Sequence, residues 1–125
     1  MGMEQYCALV VDDEAAMCTL YEMVLSKVGF NVQYATDGEQ ALVLLKRQTP
    51  DVMFLDMLLP KLDGREVLDY RNTVSHLRHM PVVIVSAHTY FRHQLRLGPN
   101  DSFLGKPVRP QQIRDAALAA VRHHV

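Results

Sequence analysis

Residues 52–56 read VMFLD, four apolar residues that end at an acid, and this pattern indicates how the chain folds. The same arrangement occurs at residues 7–13, CALVVDD, where two acids follow the apolar run. A serine ends residues 82–86, VVIVS, and a lysine ends residues 103–106, FLGK. Strands that are apolar at every position are typical of a parallel sheet covered by helices on both faces. The sequence therefore predicts such a sheet.

Five segments are predicted as strands, and they alternate with helical patterns. The strands are residues 6–11, 31–35, 52–55, 82–86 and 102–104. Helices are predicted for residues 14–28, from Asp37 to before Pro50, from after Gly64 to before Pro81, and from near Pro110 through Val121. Asp37 and Gln40 resemble a capping box at the start of the second helix.

The segment 88–97 is a weaker helical pattern, because it contains β-branched and aromatic residues and is followed by a Gly-Pro-Asn-Asp turn. We expect a fourth helix that is short, displaced or partly disordered. The series is of the (βα)5 type with right-handed crossovers, which predicts an α/β fold with a doubly wound, five-stranded parallel sheet. One domain spanning residues 1–125 is expected from the length.

The composition of the chain bears on its binding partners and its cellular location. The 13 basic and 14 acidic residues give a net charge of −1, which offers no global electrostatic reason to bind nucleic acid or an anionic membrane. Cys7 and Cys18 lack metal-site spacing and are interpreted as buried free thiols, as in a reducing compartment. No apolar run is long enough to cross a bilayer, so a cytoplasmic location is expected.

Polar residues at the strand ends predict a binding site. The carboxyl ends of parallel strands meet at one edge of the sheet, which brings together Asp12, Asp13, Asp56, Ser86 and Lys106. Two carboxylates about 5 Å apart repel by about 3 kcal/mol at an effective dielectric constant of about 20. Three acids and one lysine leave a net charge of −2, which one Mg²⁺ would balance, and carboxylate oxygens are ligands that Mg²⁺ prefers.

Those residues, in this order, resemble the receiver domains of bacterial two-component response regulators. The segment 56–64, DMLLPKLDG, is similar to the family's D-x-x-x-P-x-x-D-G motif, and Ser86-Ala87 and Lys106-Pro107 match its hydroxyl and lysine positions. The resemblance covers almost the whole chain. It implies the flavodoxin-like strand order 2-1-3-4-5.

The resemblance also implies roles for the acidic residues. Asp56 would be the phosphoacceptor, a nucleophilic carboxylate that takes a phosphoryl group in a Mg²⁺-dependent reaction. Asp13 and Asp56 would bind the metal directly, Asp12 mostly through water, and the main-chain carbonyl of Leu58 would complete the protein ligands. Apolar Leu58, with His88, would flank the path of the hydrolytic water, and we hypothesise that Leu58 slows the loss of the phosphoryl group.

Three further residues would couple phosphorylation to a change of conformation. By the same resemblance, Lys106 supplies a fixed positive charge and Ser86 a hydrogen-bond donor, both to the phosphoryl group. Ser86 and the aromatic residue Phe103 would act as the switch, because their side chains would change between two packed arrangements on phosphorylation. The Lys106–Pro107 peptide bond is expected to be cis.

The expected partners are a sensor histidine kinase or a histidine phosphotransfer protein, and a downstream effector or output domain of unknown identity. The domain itself is expected to bind neither nucleic acid nor membrane, and a homodimer is left open. It would be a self-phosphorylating and self-dephosphorylating signalling domain, not an enzyme. Three alternatives remain: a pseudo-receiver that is only an interaction module, a phosphohydrolase of the haloacid-dehalogenase type, and a flavodoxin-like cofactor binder.

Overall fold

The computed structural model describes residues 6–59 and 61–122, without the side chains of residues 89–91. Pro60 of the sequence motif and both ends of the predicted 1–125 domain lie outside the described residues. The strands are β1 (Tyr6–Val11), β2 (Phe30–Ala35), β3 (Val52–Asp56), β4 (Val82–Ser86) and β5 (Ser102–Gly105). All pairs are parallel, in the order β2-β1-β3-β4-β5. The predicted fold class and strand order are confirmed.

Four α-helices accompany these strands in the described part of the chain. They are α1 (Ala15–Lys27), α2 (Gly38–Arg47), α3 (Gly64–Thr73) and α4 (Pro110–Arg122). The Asp37 side chain accepts a hydrogen bond from the Gln40 amide at 2.8 Å, as the capping box predicts. In return, Gln40 Oε1 accepts a hydrogen bond from the amide of Thr36, one residue before the Asp37 amide that a capping box uses. The start of α2 is thus set by local polar side chains.

The fourth helical position holds a short 3₁₀ helix, Thr89–Gln94, instead of an α-helix. The expectation of a short fourth helix is therefore confirmed, and the regular (βα)5 series is modified at this position. 3₁₀ segments are frequent as connectors between other elements. Here the next residues, 95–98, already lead into the turn before β5.

Both faces of the sheet are covered, which accounts for the continuous apolar runs of β1, β3 and β4. Successive side chains of a strand point to opposite faces. Ala8 and Val10 accordingly pack in the cluster under α1 and α4, and Leu9 and Val11 pack in the cluster under α2 and α3. The helices leave the carboxyl ends of the strands open, and this edge is where the polar residues lie.

Cys7 and Cys18 are free, as predicted, but the expectation that both are buried is wrong. Each thiol-bearing residue is partly exposed to solvent, because Cys7 lies near the start of β1 and Cys18 lies at the edge of the buried stripe of α1. None of the described helices combines the length and the apolar character needed to cross a bilayer.

Candidate functional site

Three aspartates converge at the carboxyl edge of the sheet. Asp12 and Asp13 follow β1, and Asp56 is the last residue of β3. Each offers a carboxylate oxygen, and these atoms lie within 4.8 Å of one another. Asp12 and Asp56 are only 1% and 6% exposed, whereas Asp13 faces solvent. The cluster therefore has two buried acids at its base and one acid toward water.

Each buried aspartate uses one oxygen for a backbone hydrogen bond. Asp12 Oδ1 accepts from the Glu14 amide at 2.9 Å, and Asp56 Oδ1 accepts from the Leu58 amide at 3.1 Å. The second oxygens face Lys106, at 3.7 Å for Asp12 and 3.3 Å for Asp56. Asp12 Oδ2 is buried and has no hydrogen-bond partner among the described residues. A buried oxygen of this kind is costly unless it has a polar partner, so the donor set fits a bound cation.

Lys106, the residue after β5, places its ammonium group beside the aspartate cluster. The Lys106–Pro107 peptide bond is cis, as predicted. The Lys106 amide donates to the Ser86 carbonyl at 2.9 Å, which fastens this loop to the end of β4. The ammonium Nζ also lies 2.9 Å from Glu14 Oε1. Lys106 thus has three carboxylate partners among the described residues, and its side chain is 18% exposed.

Burial and crowding shift the pKa values of the site. Burial raises the pKa of Asp12 to about 6, helped by the charges of Asp56 and Glu14 and opposed by the Glu14 amide and Lys106. Burial also raises the pKa of Asp56, and Asp13 adds to this against the pull of the Leu58 amide and Lys106. Burial lowers the pKa of Lys106, but its hydrogen bond to Glu14 and the charges of Asp12 and Asp56 outweigh that effect and raise it. Burial is thus the main cause of the raised pKa of both aspartates, and the backbone amides and Lys106 offset it only in part.

The predicted switch residues lie on neighbouring strands. Ser86, at the end of β4, is fully buried, and its hydroxyl oxygen accepts a hydrogen bond from the His88 amide at 3.1 Å. Phe103, on β5, is partly buried against the core under α2 and α3. Leu58 is 52% exposed beside Asp56, an unusual position for a large apolar side chain. The structure brings Ser86 and Lys106 to the same strand ends as the acids.

Gly64 explains why a glycine follows Asp63 in the sequence motif. A Cβ atom at this position would lie 2.5 Å from the Asp56 carbonyl oxygen and 2.6 Å from Met57 Cα. Both are backbone atoms, so neither can move aside cheaply. The Gly64 amide donates to the Met57 carbonyl at 3.1 Å, and Asp63 caps α3 by accepting from the Glu66 amide. This packing fixes the loop that carries Asp56.

Two features of the structure were missed by sequence reasoning. Glu14 contacts Lys106, although its place after Asp13 suggests only the first residue of a helix. Arg71 of α3 is 3% exposed and forms a buried ion pair with Asp101, although both residue types are usually found at the surface. The one sequence signal for Arg71 is its place on the apolar stripe of α3, with Val67, Leu68 and Val74.

Comparisons with known proteins agree with this geometry. The family model described as response regulator receiver domain matches residues 8–118. A protein named "Probable transcriptional regulator ycf27" from Porphyridium aerugineum is 32% identical over 123 residues, which cover 96% of this chain and 50% of that protein. The alkaline phosphatase synthesis transcriptional regulatory protein PhoP of Bacillus subtilis is 34% identical over 117 residues, covering 91% of this chain and 48% of that protein.

A similar fold occurs in the receiver domain of sensor histidine kinase PA1611 from Pseudomonas aeruginosa PAO1, solved with a magnesium ion in its active-site cleft. The TM-score is 0.84 at 24% identity, with 94% of this chain and 98% of that chain covered. This chain spans about half the length of the curated relatives it matches.

Proposed function

Because the chain belongs to the response regulator receiver family, we propose that it takes a phosphoryl group from a phosphohistidine onto Asp56 and signals by changing conformation. The donor would be a sensor histidine kinase or a histidine phosphotransfer protein. The observation that carries the proposal is the arrangement of Asp56 Oδ2, which lies 3.3 Å from Lys106 Nζ at the carboxyl edge of the sheet. Family members without a phosphoacceptor would not need this pairing.

The contacts of Asp56 suggest which oxygen reacts. Oδ1 is held by the Leu58 amide, whereas Oδ2 faces only the Lys106 ammonium among its described hydrogen-bond partners. Oδ2 would attack the phosphorus, the new O–P bond would form, and the P–N bond to the donor histidine would break. Lys106 would neutralise negative charge on the peripheral phosphoryl oxygens, and the Ser86 hydroxyl would donate a hydrogen bond to one of them.

We propose Mg²⁺ as the cofactor, held by Asp12, Asp13, Asp56 and the main-chain carbonyl of Leu58. The donor set is all oxygen, as Mg²⁺ requires, and Asp12 Oδ2, buried without a hydrogen bond to any described residue, is the atom that most needs a cation. When bound, the ion would neutralise charge on the transferred group and orient it. The protein itself orients the carboxylates: the Glu14 amide holds Asp12, and the Leu58 amide holds Asp56. Lys106 balances one of the negative charges.

We further propose that Ser86 and Phe103 carry the change of conformation to a downstream effector or output domain. Supporting this, the matched relatives are about twice as long as this chain, and two of them are named as transcriptional regulators. The whole of residues 1–125 would act as one receiver domain, with a homodimer as one output form. A cytoplasmic location fits the two free thiols. The domain would modify itself and would not turn over a separate substrate.

The test is phosphorylation by a small donor. The protein is incubated with Mg²⁺ and acetyl phosphate, and intact mass is measured for the wild type, for Asp56→Asn, and for Asp69→Asn as a control that removes an exposed acid of α3. We expect one phosphoryl group on the wild type and on Asp69→Asn, and none on Asp56→Asn. Uptake by no variant would favour a pseudo-receiver, and multiple-turnover release of phosphate from phosphoesters would favour a hydrolase.

A further inference from the structure

Glu14 makes the shortest of the ion-pair contacts that Lys106 has in the described part of the chain. Lys106 Nζ lies 2.9 Å from Glu14 Oε1, compared with 3.3 Å from Asp56 Oδ2 and 3.7 Å from Asp12 Oδ2. The two residues are 92 positions apart in sequence. The fold therefore gives the lysine of the site a partner outside the aspartate cluster, and this partner competes with Asp56 for the same ammonium group.

The backbone explains why Glu14 can reach across the site. Glu14 is the residue before α1, and its amide is tied to Asp12 Oδ1 at 2.9 Å. Its side chain makes no helix-capping hydrogen bond, so it is available to extend toward the lysine. The Glu14 side chain is 58% exposed, whereas that of Lys106 is 18% exposed. Glu14 thus lies on the solvent side of Lys106, and the two buried aspartates lie on the inner side.

We propose that Glu14 is a positioning residue that holds the Lys106 ammonium at the mouth of the site before phosphorylation and thereby slows phosphoryl uptake. The inference rests on the proposed function of Asp56. A phosphoryl donor is an anion, so the Glu14 carboxylate repels it on its way in. The donor also needs Lys106 for its own oxygens, so the Lys106–Glu14 contact must loosen as the bond between Asp56 Oδ2 and phosphorus forms. After transfer, the phosphoryl group replaces Glu14 as the main partner of Lys106.

The exposure of Glu14 limits the size of the effect. Ion pairs with an exposed member are weak and are screened by salt, so removing the Glu14 charge should speed uptake by about two- to fivefold at low ionic strength. The gain should shrink as salt is added. A change that merely disturbed local packing would not depend on salt in this way.

The experiment compares the rate of phosphorylation by acetyl phosphate at saturating Mg²⁺ in four proteins. Glu14→Gln removes the charge and keeps the length of the side chain. Glu14→Asp keeps the charge and shortens the reach, and Asp69→Asn removes an exposed acid of α3 as the control. We expect Glu14→Gln to be fastest, Glu14→Asp to lie between it and the wild type, and Asp69→Asn to match the wild type.

A second readout does not depend on phosphorylation. The NMR signal of the Lys106 ammonium, without donor or metal, should move in Glu14→Gln and in Glu14→Asp, and should stay in place in Asp69→Asn. An unmoved Lys106 signal would refute the contact. An unchanged rate in Glu14→Gln beside normal uptake by the wild type would refute the slowing role alone. Absence of uptake by the wild type would overturn the proposed function of Asp56, and the slowing role with it.

Discussion

Replacing Asp101 with alanine should destabilise the fold by about 3 to 5 kcal/mol, because it removes one partner of a buried ion pair. Asp101 precedes β5, and its carboxylate forms a bidentate pair with Arg71 of α3, whose Nη1 lies 3.1 Å from Oδ1. The same carboxylate accepts from the amides of Val82 at 2.9 Å and Gly98 at 2.6 Å. Arg71 also donates to the Met80 carbonyl at 2.8 Å. One carboxylate therefore joins α3, β4 and the turn before β5.

The exposure of the two side chains sets the expected cost. The side chains of Arg71 and Asp101 are 4% and 1% exposed, so water cannot replace a lost partner. Without Asp101, the buried Arg71 guanidinium keeps only its hydrogen bond to the Met80 carbonyl. The amides of Val82 and Gly98 lose their acceptor. In a domain of this length, about 1 kcal/mol corresponds to about 4 °C, so the melting temperature should fall by about 10 to 20 °C. Arg71→Leu should cost less, because the Asp101 carboxylate would keep both backbone amides.

The assay is urea unfolding followed by circular dichroism, with thermal melting as a second measurement. Arg114→Gln is the control, since its partner Asp115 lies 4.0 Å away and both side chains are more than half exposed. It should change the free energy of unfolding by less than about 0.5 kcal/mol. Asp101→Asn should resemble Asp101→Ala, because the asparagine side chain replaces one accepting oxygen with an NH₂ group, and this group would face the N–H donors that the carboxylate accepts from. The reasoning would be refuted if Asp101→Ala were as mild as Arg114→Gln, or milder than Arg71→Leu.

Four further predictions concern the site. The pKa of Asp12 is raised to about 6, so the folded protein holds this proton more tightly than the unfolded chain. Without metal, its contribution to stability should therefore fall as the pH rises from about 4 to 6. Mg²⁺ affinity, measured by calorimetry, should weaken as the pH drops from about 7 to 5 and Asp12 is protonated, and a flat profile would contradict this. Gly64→Ala should destabilise by more than about 2 kcal/mol in urea unfolding, because its Cβ would strike the Asp56 carbonyl oxygen at 2.5 Å. Gly29→Ala, whose φ is 92° in open space, should cost only about 1 kcal/mol, and equal costs would argue against steric packing at Gly64. Leu58→Asn should release the phosphoryl group from Asp56 several-fold faster in a label-loss assay, and unchanged loss would remove Leu58 from the account of hydrolysis.

Much of the fold was predictable because its signals are local. Strands such as β3 and β4 are apolar at every position before their last residue, and this pattern can be read from neighbouring residues without knowing how the elements pack. The Asp37–Gln40 cap likewise joins residues three positions apart. The strand order came from the family resemblance, not from periodicity.

For residues 88–97 the pattern left open whether the fourth helix is short, displaced or partly disordered. Whether a segment of this kind forms an α-helix, a 3₁₀ helix or a loop depends on its tertiary surroundings more than on its own propensities. In the structure the segment is the 3₁₀ helix Thr89–Gln94.

The sequence by itself determined that acids, a hydroxyl and a lysine end the strands of one parallel sheet, because strand ends can be read from hydrophobic runs. Only the tertiary structure decided that Glu14 meets Lys106 and that Arg71 meets Asp101. These pairs join residues 92 and 30 positions apart. The physical reason is that periodicity is a property of neighbouring residues, whereas the partner of a charged side chain is chosen by the backbone positions that packing brings within about 4 Å.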